Sequence, residues 1–309
     1  MKEIISMIVV AGPTASGKSD YAQQLALAQG GEIINADSQQ FYQGLDIGTG
    51  KVSFKEQKVV HWFLNLLKPG QLMSAMDFAK RADDQIREIR TRGVLPILVG
   101  GTGFYLRALL EGLDDLPPRD QEQRLLLEKR LQSEGPESLH QELKKVDPLS
   151  AQKIAPQDRS RLVRYLEIYQ LTGLAPSSMM RGKRPNHLRY PVQVHWLCPP
   201  RDYLRQRIAK RVEHMLASGW VEEVQGFLQA GNPPSSWPVK PIGYRELQDY
   251  LEGKAHLDEV AKKIIQKTCQ YAKRQETFFK GLFSHQAYTK AGSSLNIFRE
   301  KSFFDRLLT

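Results

Sequence analysis

The chain has 309 residues, enough for two domains or for one large domain carrying an insertion. At 41% hydrophobic and 25% charged it can bury a core, which excludes a disordered chain, and no apolar run approaches the ~20 residues that cross a bilayer. Lys and Arg number 44 against 34 Asp and Glu, and the resulting +10 suits a polyanionic partner as readily as an evenly solvated basic surface.

In chain order, Ile4 to Val10 is short, apolar and β-branched and stops at Gly12-Pro13, which predicts a buried parallel strand. Glu3 and the glycine loop that follows rule against a cleaved signal peptide. From Lys18 to Gln29 the residues Tyr21, Leu25 and Ala28 fall at helical spacing, and Gly30-Gly31 closes the helix. A second strand is expected over Glu32 to Ala36, with Asp37 at its carboxyl end. A helix from Ala75 to Thr91, a strand from Val94 to Val99 ended by Gly100-Gly101, and a helix from Phe104 to Leu110 follow. This alternation implies a parallel sheet with helices on both faces.

The pattern then changes. From Leu116 to Met180 it is helical, with periodic leucines at 125, 131, 139, 143, 162 and 166, and no strand is predicted. A basic loop from Arg181 to Pro185 follows, strand character returns at Val192 to Leu197, and helices are expected from Tyr203 onward. The fold class is therefore α/β, a P-loop NTPase-like parallel sheet flanked by helices and interrupted by an all-helical insertion. Residues 1–115 form the first part of the core, 116–190 the insertion, and 191–309 the completion of the core with C-terminal helices. The two cysteines, Cys198 and Cys269, exclude a disulfide framework and a four-cysteine zinc site and make a reducing, cytoplasmic compartment the expectation.

Gly12-Pro13-Thr14-Ala15-Ser16-Gly17-Lys18-Ser19 fits G-x-x-x-x-G-K-[ST] without a mismatch. The glycines let successive N–H groups curl around phosphate oxygens, the helix that begins here adds its positive end, Lys18 supplies a point charge, and the Ser19 hydroxyl can ligate Mg²⁺. The motif specifies a polyphosphate, ATP included, or a pyrophosphate, and does not name the reaction. Asp37, at the end of the second strand, can hold Mg²⁺ through water, position an acceptor or take its proton; a helix cap is the plainer use of an Asp-Ser pair. Thr102, in the cluster Gly100 to Gly103, can donate to a phosphate or to Mg²⁺-bound water, or simply belong to a strand-to-helix turn.

Together with the phosphate loop, the runs Ile34 to Gln40, Gly100-Gly101-Thr102-Gly103-Phe104-Tyr105, Asp158 to Glu167, Gly243-Tyr244-Arg245-Glu246 and Tyr271-Ala272-Lys273-Arg274-Gln275 resemble the bacterial tRNA dimethylallyltransferase family, in that family's order and across most of the chain. The resemblance implies transfer of the dimethylallyl group of dimethylallyl diphosphate to N6 of the adenosine immediately 3′ of the anticodon. It implies that Thr14 to Ser19 hold the diphosphate, with Thr14 and Lys18 catalytic, and that Asp37 is the general base. Ser38, Gln39 and Gln40 would touch the extruded adenosine. Gly103 would line the substrate channel, Thr102 and Ser19 would serve the metal, and Ser160, Arg161, Leu162, Val163 and Arg164 would contact tRNA. Two positions depart from the family's pattern: Cys269 stands where arginine is usual and Asn65 where aspartate is usual.

Read physically, the residues suit that chemistry. Charge grows on the leaving diphosphate while adenine N6, whose lone pair is delocalised into the ring, needs a carboxylate to accept its proton. The base must leave its stack, and Phe41 and Tyr42 are candidates to flank its channel, with core packing their commoner use. Arg159, Arg161 and Arg164, the loop residues Arg181, Lys183, Arg184 and Arg189, and Lys273 with Arg274 are candidates for phosphate-backbone contacts. Arg207 and Arg211, one helical turn apart, are candidates to reach the leaving group instead. Other readings are a P-loop kinase of a small acceptor, a prenyltransferase acting on free AMP or ADP, and a nucleotide-gated RNA-binding scaffold. The expected partners are the anticodon stem-loop of tRNA, dimethylallyl diphosphate and Mg²⁺, with no membrane association and the chain acting as a monomer.

Overall fold

The computed structural model describes residues 6–180, 182, 184–290 and 292–307, so Ile4, Ile5, Arg181 and Lys183 lie outside the described residues. Two compact units divide the chain. One is made by the residues up to Gly112 together with those from Asn186 on, the other by Leu113–Pro185.

The first unit is built on a parallel sheet. Its strands are β1 (Met7–Ala11), β2 (Gly31–Asn35), β3 (His61–Trp62), β4 (Leu95–Gly100), β5 (Val192–Leu197) and β6 (Ser294–Phe298), in the spatial order β3-β2-β4-β1-β5-β6. Every residue of β1 is buried, as expected of a central strand covered on both faces. In register, Ala11 lies beside Gly100 on one side and Trp196 on the other, and Asn35 beside Val99. The carboxyl ends of β1, β2 and β4 therefore finish level, and the segments 12–19, 37–40 and 101–103 leave the sheet on the same edge, where open parallel sheets bind ligands.

Helices α1 (Lys18–Gln29), α2 (Ala75–Thr91) and α3 (Gly103–Glu111) connect the first strands. α1 begins after Gly17 and stops at Gly30, both with positive φ, so two glycines fix its length. The predicted bounds of α1 and α2 coincide with the observed ones. Ser74 caps α2 by accepting from Asp77 N–H.

The second unit contains α4 (Gln121–Ser133), α5 (Pro136–Val146), α6 (Pro148–Lys153), α7 (Arg159–Thr172) and α8 (Pro176–Met179). Leu127, Leu131, Leu139, Leu143, Leu162, Val163 and Leu166 form its own core. Asp147 binds it locally, accepting from the N–H and hydroxyl groups of both Ser150 and Ser177.

After the insertion the first unit resumes with β5 and the helices α9 (Arg201–Ala217), α10 (Trp220–Gln229), α11 (Tyr244–Leu251), α12 (Leu257–Phe283) and, beyond β6, α13 (Lys301–Leu307). The expectation of helices alone after Tyr203 is corrected by β6, a parallel edge strand along β5. Its sequence, Ser-Leu-Asn-Ile-Phe, lacks the apolar density of the inner strands because it is largely solvent-facing. Residues 186–190, placed by the sequence within the insertion, belong to the sheet unit. Arg189 donates its N–H to Leu110 O and its guanidinium to Leu109 O and, at 2.6 Å, to Asp83, which also accepts from the Tyr190 hydroxyl. Arg189 is thus engaged in fixing the chain to α2 and α3.

Candidate active site

The segment after β1 curls tightly. A β-carbon on Gly12 would stand 2.7 Å from the carbonyl oxygen of Leu197, so that glycine is required by the neighbouring strand's approach. Ala15 takes φ 61°, a left-handed conformation that costs a non-glycine residue about 1 kcal/mol, and its carbonyl accepts from Arg207 Nε at 2.8 Å. Inside the curl, Lys18 is buried and reaches Pro13 O at 3.3 Å. Burial pushes its ammonium down to about 8, opposed by the charge of Asp37 and assisted by that of Arg211. The hydroxyl of Ser16 is buried with no hydrogen-bond partner among the described residues. An orphaned donor and a desolvated cation within one loop are the features of a site completed by an anion's oxygens.

Asp37 follows Asn35 out of β2. Its N–H donates to Asn35 Oδ1, and its own Oδ1 accepts from Gln39 N–H at 3.1 Å. One carboxylate oxygen therefore caps the turn 37–40, as the capping reading expects, while among the described residues Oδ2 has no partner and the residue lines a cavity. The Thr102 hydroxyl accepts from Ser38 N–H at 3.0 Å and donates to Ser38 Oγ at 3.2 Å, locking the ends of β2 and β4 together. Gln275, on α12, is a second lock. It accepts from Thr14 N–H and donates to Gly101 O, both at 2.9 Å, and a β-carbon on Gly101 would lie 2.3 Å from its Nε2. The phosphate-loop backbone, the glycine turn and α12 are thereby one assembly.

The cavity has a volume of about 290 Å³. Its lining combines polar side chains, among them Asp37, Gln39, Arg211, Lys240, Tyr271 and Arg274, with apolar ones, among them Ile208, Val212, Met215, Trp220, Ile242 and Ile264. Arg211 is half-buried, its desolvation lowers its pKa against the opposing pull of Asp37, and it donates to Thr49 O at 3.1 Å. Burial, then the charge of Asp37, raises the Tyr271 phenol. Glu223 of α10 organises the adjoining loop, accepting from the N–H groups of Asp46, Ile47 and Gly48 and from the Tyr244 hydroxyl. Glu223 and Trp220 carry no motif signal, and Gln275 is visible in sequence only as the last letter of a resemblance block.

The structure brings Gly12 to Ser19, Asp37 to Gln40, Thr102 and Gly103 to one edge of the sheet, with Arg207 and Arg211 facing them from α9. Phe41 and Tyr42 do not flank a channel: both are buried, and Phe41 packs beside the stacked pair of Phe78 and Tyr105. Asn65 adopts φ 58°, which asparagine tolerates well, and its side chain accepts from Lys51. Cys269 packs beside Ala15, Leu204, Ile208 and Ala272. In the helical unit, Ser160 and Arg161 are exposed at the start of α7, with Arg159 beside them. Leu162 and Val163 instead belong to that unit's core, and Arg164 turns inward to the fully buried Glu167 at 2.9 Å and to Pro117 O. The reason is helical geometry: positions 162, 163 and 166 form the apolar stripe, and Arg164 lies at its margin, three residues from Glu167.

A family model described as IPP transferase matches residues 40–282. The chain belongs to the IPP transferase family. Among curated IPP transferases, tRNA dimethylallyltransferase 1 of Trichlorobacter lovleyi is 45% identical over 275 residues, covering 89% of this chain and 90% of that one. The tRNA dimethylallyltransferase of Geobacter metallireducens is 43% identical over 280 residues, covering 90% and 91%. The solved structure of a full-length tRNA isopentenylpyrophosphate transferase from Bacillus halodurans aligns over 98% of this chain and 93% of its own, with a TM-score of 0.65 and 33% identity. A eukaryotic dimethylallyltransferase acting on tRNA aligns over 97% of this chain and 75% of its own, with a TM-score of 0.80 and 31% identity. Six parallel strands with flanking helices are thus the IPP transferase fold in this chain. Among its described residues no helix is long and apolar enough to cross a membrane.

Proposed function

We propose that the protein transfers the dimethylallyl group of dimethylallyl diphosphate to N6 of the tRNA adenosine immediately 3′ of the anticodon, releasing diphosphate. The observation that carries the reading is one cavity lined both by the charged groups Asp37 and Arg211, which act on the buried Lys18, and by the apolar side chains of Ile208, Val212, Met215 and Ile264. That arrangement suits a donor with an anionic head and a hydrocarbon tail.

The diphosphate is bound by the backbone of Gly12 to Ser19, by the Ser16 hydroxyl and by the cations Lys18 and Arg211, while Arg207 holds the loop's shape through Ala15 O. Thr14 acts through its hydroxyl, since its N–H is occupied by Gln275. These groups face the oxygens on which charge accumulates as the allylic C–O bond breaks, and being fixed in advance they need no reorganisation. Asp37 accepts the N6 proton through its uncapped oxygen as the C–N bond forms, and Ser38, Gln39, Gln40 and Gly103 border the entering base. The hydroxyls of Ser19 and Thr102 offer hard oxygen donors, and among the described residues no cluster of three His, Cys, Asp or Glu side chains competes as a metal site. This donor set fits Mg²⁺, which takes one or two protein oxygens with phosphate and water; when bound, it would neutralise charge on the diphosphate.

The anticodon stem-loop is the tRNA element recognised, with Ser160 and Arg161 the exposed contacts from α7. The enzyme acts as a monomer in the cytoplasm, a compartment suited to its two unpaired cysteines. Incubation with labelled dimethylallyl diphosphate and Mg²⁺, in parallel with unmodified tRNA, AMP, or ATP and small acceptors, tests the reading. Label on tRNA is expected; label on AMP alone, or phosphoryl transfer from ATP alone, would overturn it.

A further inference from the structure

Just outside the cavity, α12 carries an exposed aromatic side chain that has no task in the reaction as described. Tyr271 and Arg274 of α12 line the cavity, and Arg274 is also exposed, so it stands at the opening. Its guanidinium lies 5.8 Å from the centre of the Tyr271 ring. Phe278 follows at the spacing that keeps it on the same helix face, one turn and about 6 Å beyond Arg274. Its ring rests on Gly103, where a β-carbon would stand 2.3 Å from Cδ1 and 2.7 Å from Cε1. Gly103 opens α3 directly after Thr102, so Phe278 sits beside the sheet edge that carries the site.

Phe278 is 36% exposed, unlike Phe279 and Phe283 of the same helix, which are buried. Its sole ring contact among the described residues is edge-on with Phe279, at an interplanar angle of 87°, so no other ring stacks on it. The solvent side of this stretch of helix is basic. Lys273, Arg274 and Lys280 are exposed and form no ion pair among the described residues, whereas the one acid, Glu276, is taken up by Arg201 at 3.2 Å. An exposed ring flanked by unpaired cations is the composition of a single-stranded nucleic-acid platform, on which bases stack while the cations follow the backbone. Extruding the acceptor adenosine breaks its stacking with the nucleotide on each side, and each bared base face then takes a new partner or stays in water.

We propose that Phe278 is a binding residue for the tRNA nucleotide next to the acceptor adenosine: its ring takes the base face bared by extrusion, and Arg274 meets the phosphate between the two nucleotides. The inference rests on the proposed transfer to a tRNA adenosine and adds the platform that holds the strand open at the cavity mouth.

The experiment compares intact tRNA with two tRNAs that are abasic at the nucleotide immediately 5′ or immediately 3′ of the acceptor, using wild-type enzyme and Phe278→Leu. Wild-type enzyme is expected to lose roughly tenfold in kcat/KM for tRNA on one of the abasic substrates, the usual worth of one base–aromatic stack, and the substrate affected identifies the nucleotide. Phe278→Leu should lose a similar factor on intact tRNA and nothing further on that abasic tRNA, with its KM for dimethylallyl diphosphate unchanged; Phe278→Tyr should keep wild-type values. Contacts that the missing base makes elsewhere are common to both enzymes and cancel in the ratio. A leucine variant equal to wild type on intact tRNA overturns the proposal. So does an abasic penalty undiminished in the variant, the pattern of a ring that only packs on Gly103. Should Phe278→Leu fail to fold, Phe278→Met takes its place, since it covers Gly103 without a π-face. Absence of any transfer to intact tRNA would remove the underlying function, and this contact with it, whereas transfer without either abasic penalty removes only the platform.

Discussion

Gln275→Leu removes the strut between the phosphate loop and the glycine turn while keeping the side chain's approximate volume. The amide is 5% exposed and makes two hydrogen bonds of 2.9 Å, one from Thr14 N–H and one to Gly101 O. Leucine leaves a backbone donor and a backbone acceptor without partners, each costing about 1–3 kcal/mol when buried. Thr14 is only partly buried, so the lower half of that range applies to it, and a total loss of about 2–5 kcal/mol is expected. The same loss frees the 12–19 segment, whose left-handed Ala15 is held by its surroundings, so the KM for dimethylallyl diphosphate should rise at least about tenfold. Gln275→Glu keeps the acceptor for Thr14 but sets a second acceptor and a buried charge against Gly101 O, and should lose at least as much as the leucine variant. Chemical denaturation and steady-state kinetics at saturating tRNA provide the readouts. A leucine variant within about 0.5 kcal/mol of wild type, with an unchanged donor KM, would refute the strut.

Three further outcomes follow from particular contacts. Arg161→Ala should leave the fold intact and reduce the salt dependence of tRNA binding by about one unit of slope, whereas Arg164→Ala strands the buried Glu167 and should destabilise the helical unit by about 3–5 kcal/mol; equal effects on both readouts would reject the division of labour. His61 is held by burial at about 4, so the unfolded chain binds more protons between pH 6.5 and 4 and stability should fall across that interval on acidification, by at most about 1.4 kcal/mol per unit; His61→Phe should flatten that part of the stability profile. Gly48→Ala pushes a methyl group into the Trp220 indole, 2.1 Å from Nε1, and should destabilise the fold by about 1–3 kcal/mol in chemical denaturation; a variant as stable as wild type would refute that packing.

Much of the fold is legible because its signals are local. The apolar run into Gly12, the Gly17 and Gly30 stops of α1 and the run into Gly100 are each contained within a dozen residues, and each fixes a strand end or a helix end. β6 is not legible in this way, since an exposed edge strand needs few apolar side chains, and β3 is only two residues long. The site divides along the same line. Lys18 and Asp37 announce themselves by motif and by position at strand ends. Gln275, Glu223 and Trp220 acquire meaning only when α10 and α12 pack against loops that lie far away in sequence. Phe41, Leu162, Val163 and Arg164 show the opposite case, residue types suited to contacting nucleic acid that the packing commits to the interior.

Asp37→Asn tests the central claim most directly, because asparagine keeps the oxygen that caps Gln39 N–H and removes only the capacity to accept a proton. Single-turnover transfer from labelled dimethylallyl diphosphate, measured with tRNA affinity on the same preparation, should fall by about 10²–10⁴-fold with tRNA binding retained. Transfer within a few fold of wild type would contradict the assignment of the N6 proton to Asp37.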